Sequence, residues 1–316
     1  MNRLRQIVTQ AAKHIDHNYL VQSVIPVHGG DINENYIIEM TREEGDGVEV
    51  QKKLFLKVQH NSPEDFFEAE VEGLQALQRN LHIAFRDNPV ALRTPKVLGK
   101  GILENSHYLI LEHIPTESAV NSADYTLGRQ LALFHSSENE RTTSCRTAFF
   151  GFQNDNYIGS TPQINTHHAN WIDFFRECRL GYQIDTAERH NLLDRKLRNQ
   201  LDTLSGELEN LLTEPKYPVL VHGDLWSGNI MKANSGEWIL FDPAVYYGHP
   251  EVDIAMTELF GGFGRSFYEG YHAVIPRDSG YEERRDLYNL YHMLNHLNLF
   301  GRSYESSVKN IVRKYL

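Results

Sequence analysis

The run VLVHGDLWSGNIM, residues 219–231, begins and ends with apolar residues but carries His, Asp, Trp and Asn between them. Its apolar start predicts a buried strand, and polar side chains at the end of such a strand are costly unless they are hydrogen-bonded or bind a ligand. The next residues, MKANSGEWILFDP, predict a strand, an Asn-Ser-Gly turn and a second strand that ends on Asp242. This hairpin would bring Asp242 back beside Asn229. The segment therefore predicts a polar cluster, either a binding site or a turn whose side chains satisfy one another.

The spacing inside this run favours a catalytic interpretation. His222, Asp224 and Asn229 have the H-x-D-x-x-x-x-N spacing of a kinase catalytic loop. In such a loop the aspartate accepts the proton of the attacking hydroxyl group, and the asparagine holds a metal ion. The amide oxygen of Asn229 and the carboxylate of Asp242 are suitable ligands for Mg²⁺ that already carries ATP phosphates.

A pair of buried charges is predicted in the N-terminal part. A helix over about 62–78, with Pro63 to Asp65 as its start signal, places Glu70 in the middle of its apolar stripe. The strand LFLKV before it places Lys57 among apolar neighbours. A Lys57–Glu70 ion pair would offset the desolvation cost of both groups. The alternatives are a lysine that snorkels at a sheet edge and a glutamate at the rim of the helix.

The stretch HGGDINENY lies between two β-type runs, and its paired glycines permit positive φ and a close approach of backbone N–H groups to a phosphate. Alone it is a weak signal, because most Gly-Gly loops are simple turns. The order of the parts is more specific than any one of them: glycine loop, strand lysine, helix glutamate, H-x-D-x-x-x-x-N loop, and an aspartate at the end of a hairpin.

The hydrophobic patterns predict an α+β chain with two lobes. Short β-type runs dominate the first part and surround one helix, which indicates an antiparallel sheet. Helical patterns dominate the second part, interrupted by short strands at YPVLVHGD and EWILFDP. We expect a small N-terminal lobe over 1–112 and a larger, mainly helical lobe over 113–316.

Composition excludes several classes of protein. The formal net charge of −11 and the lack of any Lys/Arg run argue against a nucleic-acid partner. No apolar run reaches the roughly 18 residues of a membrane span, and the N-terminal MNRLRQIVTQAAKHI predicts an amphipathic helix and is a poor signal peptide. A cytoplasmic location is expected, and the two cysteines, Cys145 and Cys178, are expected to be unpaired thiols.

The sequence resembles the fructosamine kinase (ketosamine-3-kinase) family, within the aminoglycoside-phosphotransferase and protein-kinase-like group. VHGDLWSGNI with FDPAVYYGHPEVDIAM is the most specific match, and GGDIN, LFLKV, FEAEVEGLQAL, WIDFFRECRLGYQI and LYNLYHMLNHLNLFG extend it nearly end to end. The resemblance implies a two-lobed kinase-like fold, ATP and Mg²⁺ as cofactors, and phosphorylation of the 3-hydroxyl of ketosamines left on amines by glycation. Because that phosphorylation makes the adduct labile, the implied role is deglycation repair.

The resemblance also implies roles for single residues. Asp224 would be the catalytic base, Asn229 and Asp242 would hold Mg²⁺, and Lys57, held by Glu70, would contact the ATP phosphates. Trp226 would form a wall for the sugar or its amine, although simple packing of the loop is the alternative. The backbone contacts to ATP would come from a phosphate loop and an adenine hinge, formed respectively by Gly29, Gly30, Asp31, Ile32 and Asn33 and by Leu111, Glu112 and His113.

Two further residues would support the loop. Asp253 in EVDIAM would bond the backbone of the catalytic loop, unless it is an ordinary aspartate at a helix start, and His222 would orient the loop. Asp31 stands where some relatives carry a cysteine, so no thiol switch is expected there. A monomer is expected.

Three other functions remain open on the sequence. The same scaffold serves aminoglycoside- and choline-type phosphotransferases. A catalytically silent nucleotide-binding pseudokinase is disfavoured, because every residue of the set is present. A purely structural interaction protein gives no reason for Glu70 to lie in an apolar stripe.

Overall fold

The N-terminal part is built on one antiparallel sheet. The computed structural model describes residues 3–28, 32–45, 48–86, 92–116, 124–136 and 149–316, so Gly29, Gly30, Asp31 and Cys145 lie outside the described residues. The sheet has the strand order β1-β2-β3-β6-β5, with neighbours antiparallel. Its strands are β1 (Leu20–Val27), β2 (Glu34–Glu44), β3 (Val48–His60), β5 (Val97–Leu103) and β6 (Ser106–Glu112).

Two helices accompany this sheet. The amphipathic helix α1 (Arg3–Ile15) buries Ile7, Val8 and Ala11 in the same cluster as sheet residues such as Ile38. Helix α2 (Phe66–Ala84) follows β3. The prediction for α2 was wrong at both ends, because residues 63–65 form the turn before the helix and its apolar stripe continues beyond residue 78 to Leu81.

The second half of α2 also packs against residues that follow 113. Ala76, Leu77 and Leu81 share a buried cluster with Leu131 and Val245. Helix α2 therefore joins the sheet to the helical part, and a side chain on its first turns can face residues from both. The division of the chain at 112/113 stays a prediction.

The C-terminal part is mainly helical, as expected. One continuous helical stretch is α-helical over Trp171–Phe174 (α4), has π geometry over Phe175–Gly181, and is α-helical again over Tyr182–Arg189 (α5). The helices are α3 (Tyr125–Ser136), α4 (Trp171–Phe174), α5 (Tyr182–Arg189), α6 (Arg195–Gly206), α7 (Leu208–Leu211), α8 (Glu251–Leu259), α9 (Arg265–His272), α10 (Tyr281–Phe300) and α11 (Glu305–Val312).

Short strands in the C-terminal part position the candidate site. Strand β9 (Val219–Val221) pairs with β12 (Tyr246–Gly248). The predicted hairpin is formed by β10 (Ile230–Lys232) and β11 (Trp238–Leu240), with Ile230 opposite Leu240. Strand β4 (Leu92–Arg93), which precedes β5, pairs in parallel with β11. These strands are β4 (Leu92–Arg93), β7 (Asn156–Ile158), β8 (Thr161–Gln163), β9 (Val219–Val221), β10 (Ile230–Lys232), β11 (Trp238–Leu240) and β12 (Tyr246–Gly248).

None of the helices in the described parts of the chain is long and apolar enough to cross a bilayer.

Candidate active site

The run 222–229 forms a loop that connects β9 to β10 and ends in a 3₁₀ turn, Ser227–Asn229. The amide nitrogen of Asn229 donates to the backbone oxygen of Asp224 at 2.8 Å and to its Oδ2 at 3.0 Å. The backbone N–H of Asn229 donates to the carbonyl of Trp226 at 3.0 Å. The loop is therefore closed on itself, and Asp224 is held from within it.

Gly223 is required by the close approach of a second backbone segment. It has φ +81°, and a Cβ atom there would lie 2.0 Å from the carbonyl oxygen of Ala244. The N–H of Ala244 in turn donates to the carbonyl of His222 at 2.9 Å. Any larger residue would separate the loop 222–229 from the segment that follows Asp242.

Asp253, near the start of α8, holds this loop by hydrogen bonds to its backbone. Its two carboxylate oxygens accept the backbone N–H groups of His222 at 2.7 Å and of Gly223 at 2.9 Å, and His135 lies 3.3 Å away. Burial alone would raise the pKa of Asp253, but the contacts with His135 and the loop outweigh it and lower the pKa. The predicted contact of Asp253 with the loop backbone is therefore present.

The ring of His222 also orients the loop. Nε2 donates to the carbonyl of Phe241 at 3.0 Å, and Nδ1 faces the N–H of Asp224 at 3.3 Å. Burial lowers the pKa of His222, which favours the neutral ring that these two contacts require.

Lys57 and Glu70 form the predicted ion pair. The ammonium nitrogen lies 2.7 and 2.8 Å from the two carboxylate oxygens, and it also contacts Oδ1 of Asp242 at 2.7 Å. Burial lowers the pKa of Lys57, but the charges of Asp242 and Glu70 outweigh it, so the net shift is upward and the amine stays protonated. One buried ammonium thus connects β3, α2 and the end of the β10–β11 hairpin.

Asp224 differs from the other acids of the site because no cation of the described residues pairs with it. Burial raises its pKa to about 7, the hydrogen bond from Asn229 opposes this, and the charges of Asp242 and Asp253 add to the rise. A carboxylate with this pKa ionises near neutral pH and can accept a proton there.

These groups surround one cavity of about 350 Å³. Lys57, Glu70, Asp224, Asn229 and Asp242 all line it, together with Ile32 and Asn33 from the end of the glycine loop. The cavity lies between the sheet with its helix α2 on one side and the loop 222–229 with the β10–β11 hairpin on the other. The polar cluster predicted from the sequence is therefore a shared cleft rather than a self-satisfied turn.

The three residues predicted as the adenine hinge lie elsewhere. Leu111 and Glu112 end β6, His113 follows, and none of them lines this cavity. The carboxylate of Glu112 pairs with Arg93 at 2.9 Å. Their role in binding adenine stays a prediction.

The oxygen atoms in the cleft fit a magnesium ion that also binds phosphate. Within the described residues, no three His, Cys, Asp or Glu side chains cluster as a metal site. The amide nitrogen of Asn229 donates to Asp224, so its Oδ1 would be available to a metal ion. Asp242, at φ +54°, contacts Lys57 through Oδ1, so its Oδ2 would be available too. One carboxylate plus one amide oxygen is the sparse, hard donor set with which Mg²⁺ retains water and phosphate ligands.

Reasoning from the sequence missed much of the cleft wall. Trp226 lines the cavity as predicted, but so do Phe260, His296, Phe300 and Tyr304. The last three recur every four residues along the end of α10 and beyond, a spacing that the sequence alone does not distinguish from ordinary core packing.

Fold and site together define a protein-kinase-like phosphotransferase architecture. The structure of an aminoglycoside phosphotransferase, 18% identical with a TM-score of 0.54 and coverage of 93% of this chain and 95% of that one, shares the fold alone. A crystal structure of a candidate fructosamine-3-kinase from Haemophilus somnus 129PT gives a TM-score of 0.79 at 25% identity, covering 98% of this chain and 96% of that chain.

Sequence comparison then gives the family. The family model described as fructosamine kinase matches residues 3–316, and this chain belongs to that family. A candidate ketoamine kinase from Synechocystis sp. is 37% identical over 313 residues, 98% of this chain and 96% of that protein. The chloroplastic protein-ribulosamine 3-kinase of Arabidopsis thaliana is 40% identical over 266 residues, 83% of this chain and 76% of that protein.

Proposed function

We propose that this protein transfers the γ-phosphoryl group of ATP to the 3-hydroxyl of ketosamines, the products of glycation. The observation that carries the proposal is the convergence of Asp224, Asn229 and Asp242 on one cleft that also contains the Lys57–Glu70 pair. Family membership supplies the substrate class, and the cleft supplies the chemistry.

Asp224 is the group that would take the proton. As the 3-hydroxyl oxygen attacks the γ-phosphorus, its proton passes to the carboxylate of Asp224, the bond to the β,γ-bridging oxygen breaks, and ADP leaves. A pKa of about 7 suits this step, because the carboxylate is ionised for much of the time at neutral pH and still basic enough to accept a proton.

Nucleotide binding would use the opposite wall of the cleft. Lys57 would contact the phosphates, with Glu70 keeping its ammonium in place. Asn229 and Asp242 would hold Mg²⁺, which when bound neutralises phosphate charge. The segment 29–33 would cover the phosphates and 111–113 would bind adenine, so that 1–112 forms the nucleotide lobe and 113–316 the catalytic and substrate lobe.

The substrate lobe would fix the catalytic loop before substrate arrives. Asp253 holds two consecutive backbone N–H groups of the loop, and His222 joins the loop to Phe241, the residue before Asp242. A base held in advance is valuable because transfer requires in-line positioning of the hydroxyl. We propose that the enzyme acts as a monomer, and its cytoplasmic location stays a prediction.

The test is an ATP-consumption assay with the purified chain and Mg²⁺. The substrates are the fructose, ribulose and erythrulose adducts of a blocked lysine, with an aminoglycoside and choline as controls, and ³¹P NMR locates the new phosphate ester. We expect ADP and a 3-phosphate with at least one ketosamine. Turnover of only the aminoglycoside or choline would overturn the proposal, and so would bound ATP with no turnover of any substrate.

A further inference from the structure

A ladder of five aromatic side chains leads away from the catalytic base. It consists of Trp226, Phe260, His296, Phe300 and Tyr304, and every member lines the cavity. Ring centroids are 6.2 Å apart for Trp226 and Phe260 and 5.1 Å for Phe260 and His296, and His296 lies 5.5 Å from Phe300 and 5.0 Å from Tyr304. Each distance is a contact between neighbouring rings.

The ladder starts at the point where the chemistry occurs. Trp226 stands two residues after Asp224, in the same loop. Phe260 follows the end of α8, and His296 and Phe300 lie on the last turns of α10. Tyr304 ends the 3₁₀ turn that follows α10, so the rings come from four parts of the chain and form one continuous wall of the cavity that begins beside the base.

Exposure distinguishes this wall from a hydrophobic core. Trp226 is 37% exposed, and Phe260 and Phe300 are each 43% exposed. Large apolar side chains that face water beside a cavity mark a binding surface more often than a packing layer. The carboxylates described around the cavity are Glu70, Asp224 and Asp242, so the ladder itself contains no acid.

The proposed substrate has an end of matching chemistry. In a ketosamine the amine nitrogen is bonded to C1, two carbons from the C3 whose hydroxyl would face Asp224. The basic nitrogen and the alkyl chain beyond it must therefore leave the catalytic point along the cleft. Aromatic faces bind both an alkyl chain and an ammonium group.

We propose that the aromatic ladder is the groove for the amine-bearing part of the substrate, and that its occupant is the side chain of a glycated lysine. This inference rests on the proposed function and adds to it the feature that selects among ketosamines. Lysine adducts would be preferred over adducts of small amines, because only the longer chain reaches Phe300 and Tyr304.

The test compares two substrates that share a sugar, the ketosamine of a blocked lysine and that of methylamine. Phe300→Ala should raise KM for the lysine adduct by about tenfold, the scale of one lost aromatic contact. For the methylamine adduct, both kcat and KM should stay within about twofold of the parent values. Phe260→Ala serves as a second variant from a different element. Ile102→Ala, which truncates an apolar residue 54% exposed on β5, is the matched control and should change neither constant.

Three outcomes would overturn the ladder as the amine groove. They are equal KM changes for both substrates, a raised KM for ATP in place of the ketosamine, and a lowered melting temperature with both KM values unchanged. Failure of the proposed function is distinguishable, because the parent enzyme would then phosphorylate neither adduct.

Discussion

Replacing Asp224 by asparagine should remove activity and stabilise the protein at the same time. The carboxyl group has its pKa raised from 3.8 to about 7, so its ionised form is disfavoured in the folded state. A difference of this size corresponds to ~4 kcal/mol at neutral pH. Asp224 stays partly exposed to the cleft, where water relaxes around it, so we expect about half of this value. The amide that replaces the carboxylate would keep an oxygen to accept the hydrogen bond from Asn229.

The sign of the effect depends on pH. Between about pH 4 and 7 the folded state binds a proton at Asp224 that the unfolded state has released, so this group makes the free energy of unfolding fall as pH rises. Below pH 4 both states are protonated and the contribution vanishes. The stabilisation of Asp224→Asn should therefore be full at pH 8, about 2 kcal/mol, and small at pH 4.5.

Thermal melts of metal- and nucleotide-free protein at these two pH values measure the effect. At pH 8 the variant should melt roughly 3–6 °C above the parent. Glu64→Gln removes an exposed carboxylate just before α2 and should leave the melting temperature unchanged at both values. Turnover with the ketosamine should fall by about 10² or more, the usual scale for a positioned base. An equal melting temperature at pH 8, or unchanged turnover, would refute the assignment of Asp224 as a desolvated base.

Three further predictions concern the groups around the base. Asp253→Asn should lower the free energy of unfolding by about 3 kcal/mol and reduce kcat, because an amide cannot accept both loop N–H groups; urea titration and kinetics check this. Since the pKa of Asp253 is lowered, its own contribution should be present above about pH 4 and be lost on further acidification. Glu70→Gln should raise KM for ATP about tenfold, because Lys57 loses a charged partner. Glu68→Gln on the same helix, which removes a half-exposed carboxylate paired with Lys100, serves as its control. Asp242→Asn should weaken Mg²⁺–ATP binding, and calorimetric titrations whose difference from the parent is the same without Mg²⁺ would contradict its role as a metal ligand.

The sequence predicted best the contacts whose absence would cost free energy, such as the pairing of two buried charges. Glu70 lies inside an apolar helix stripe and Lys57 inside an apolar strand, so each charge needs a partner to offset its desolvation. The two side chains form an ion pair with one another. The Asn-Ser-Gly turn similarly fixed the β10–β11 hairpin and hence the place of Asp242. In these cases a local pattern and a physical penalty pointed to the same contact.

The contacts that escaped prediction lack such a penalty. Strand β4 has two residues and pairs with β11, which lies more than a hundred residues later. No local periodicity in the sequence predicts this pairing. Phe300 and Tyr304 have a spacing that a buried helix face would also show. Only their place beside the cavity, and the 43% exposure of Phe300, sets them apart. The cleft wall that would choose the substrate is thus less visible in the sequence than the groups that would perform the transfer.

The charges around the cavity affect both the nucleotide and the amine of the proposed substrate. Around the described part of the cavity, the carboxylates of Glu70, Asp224 and Asp242 face the single ammonium of Lys57, and no arginine is among these residues. Such a cleft repels a bare triphosphate, so ATP affinity has to depend strongly on the divalent ion that accompanies it. The same excess of negative charge would favour a substrate that carries a basic amine, and Asp224 stands two residues before Trp226, where the aromatic ladder begins.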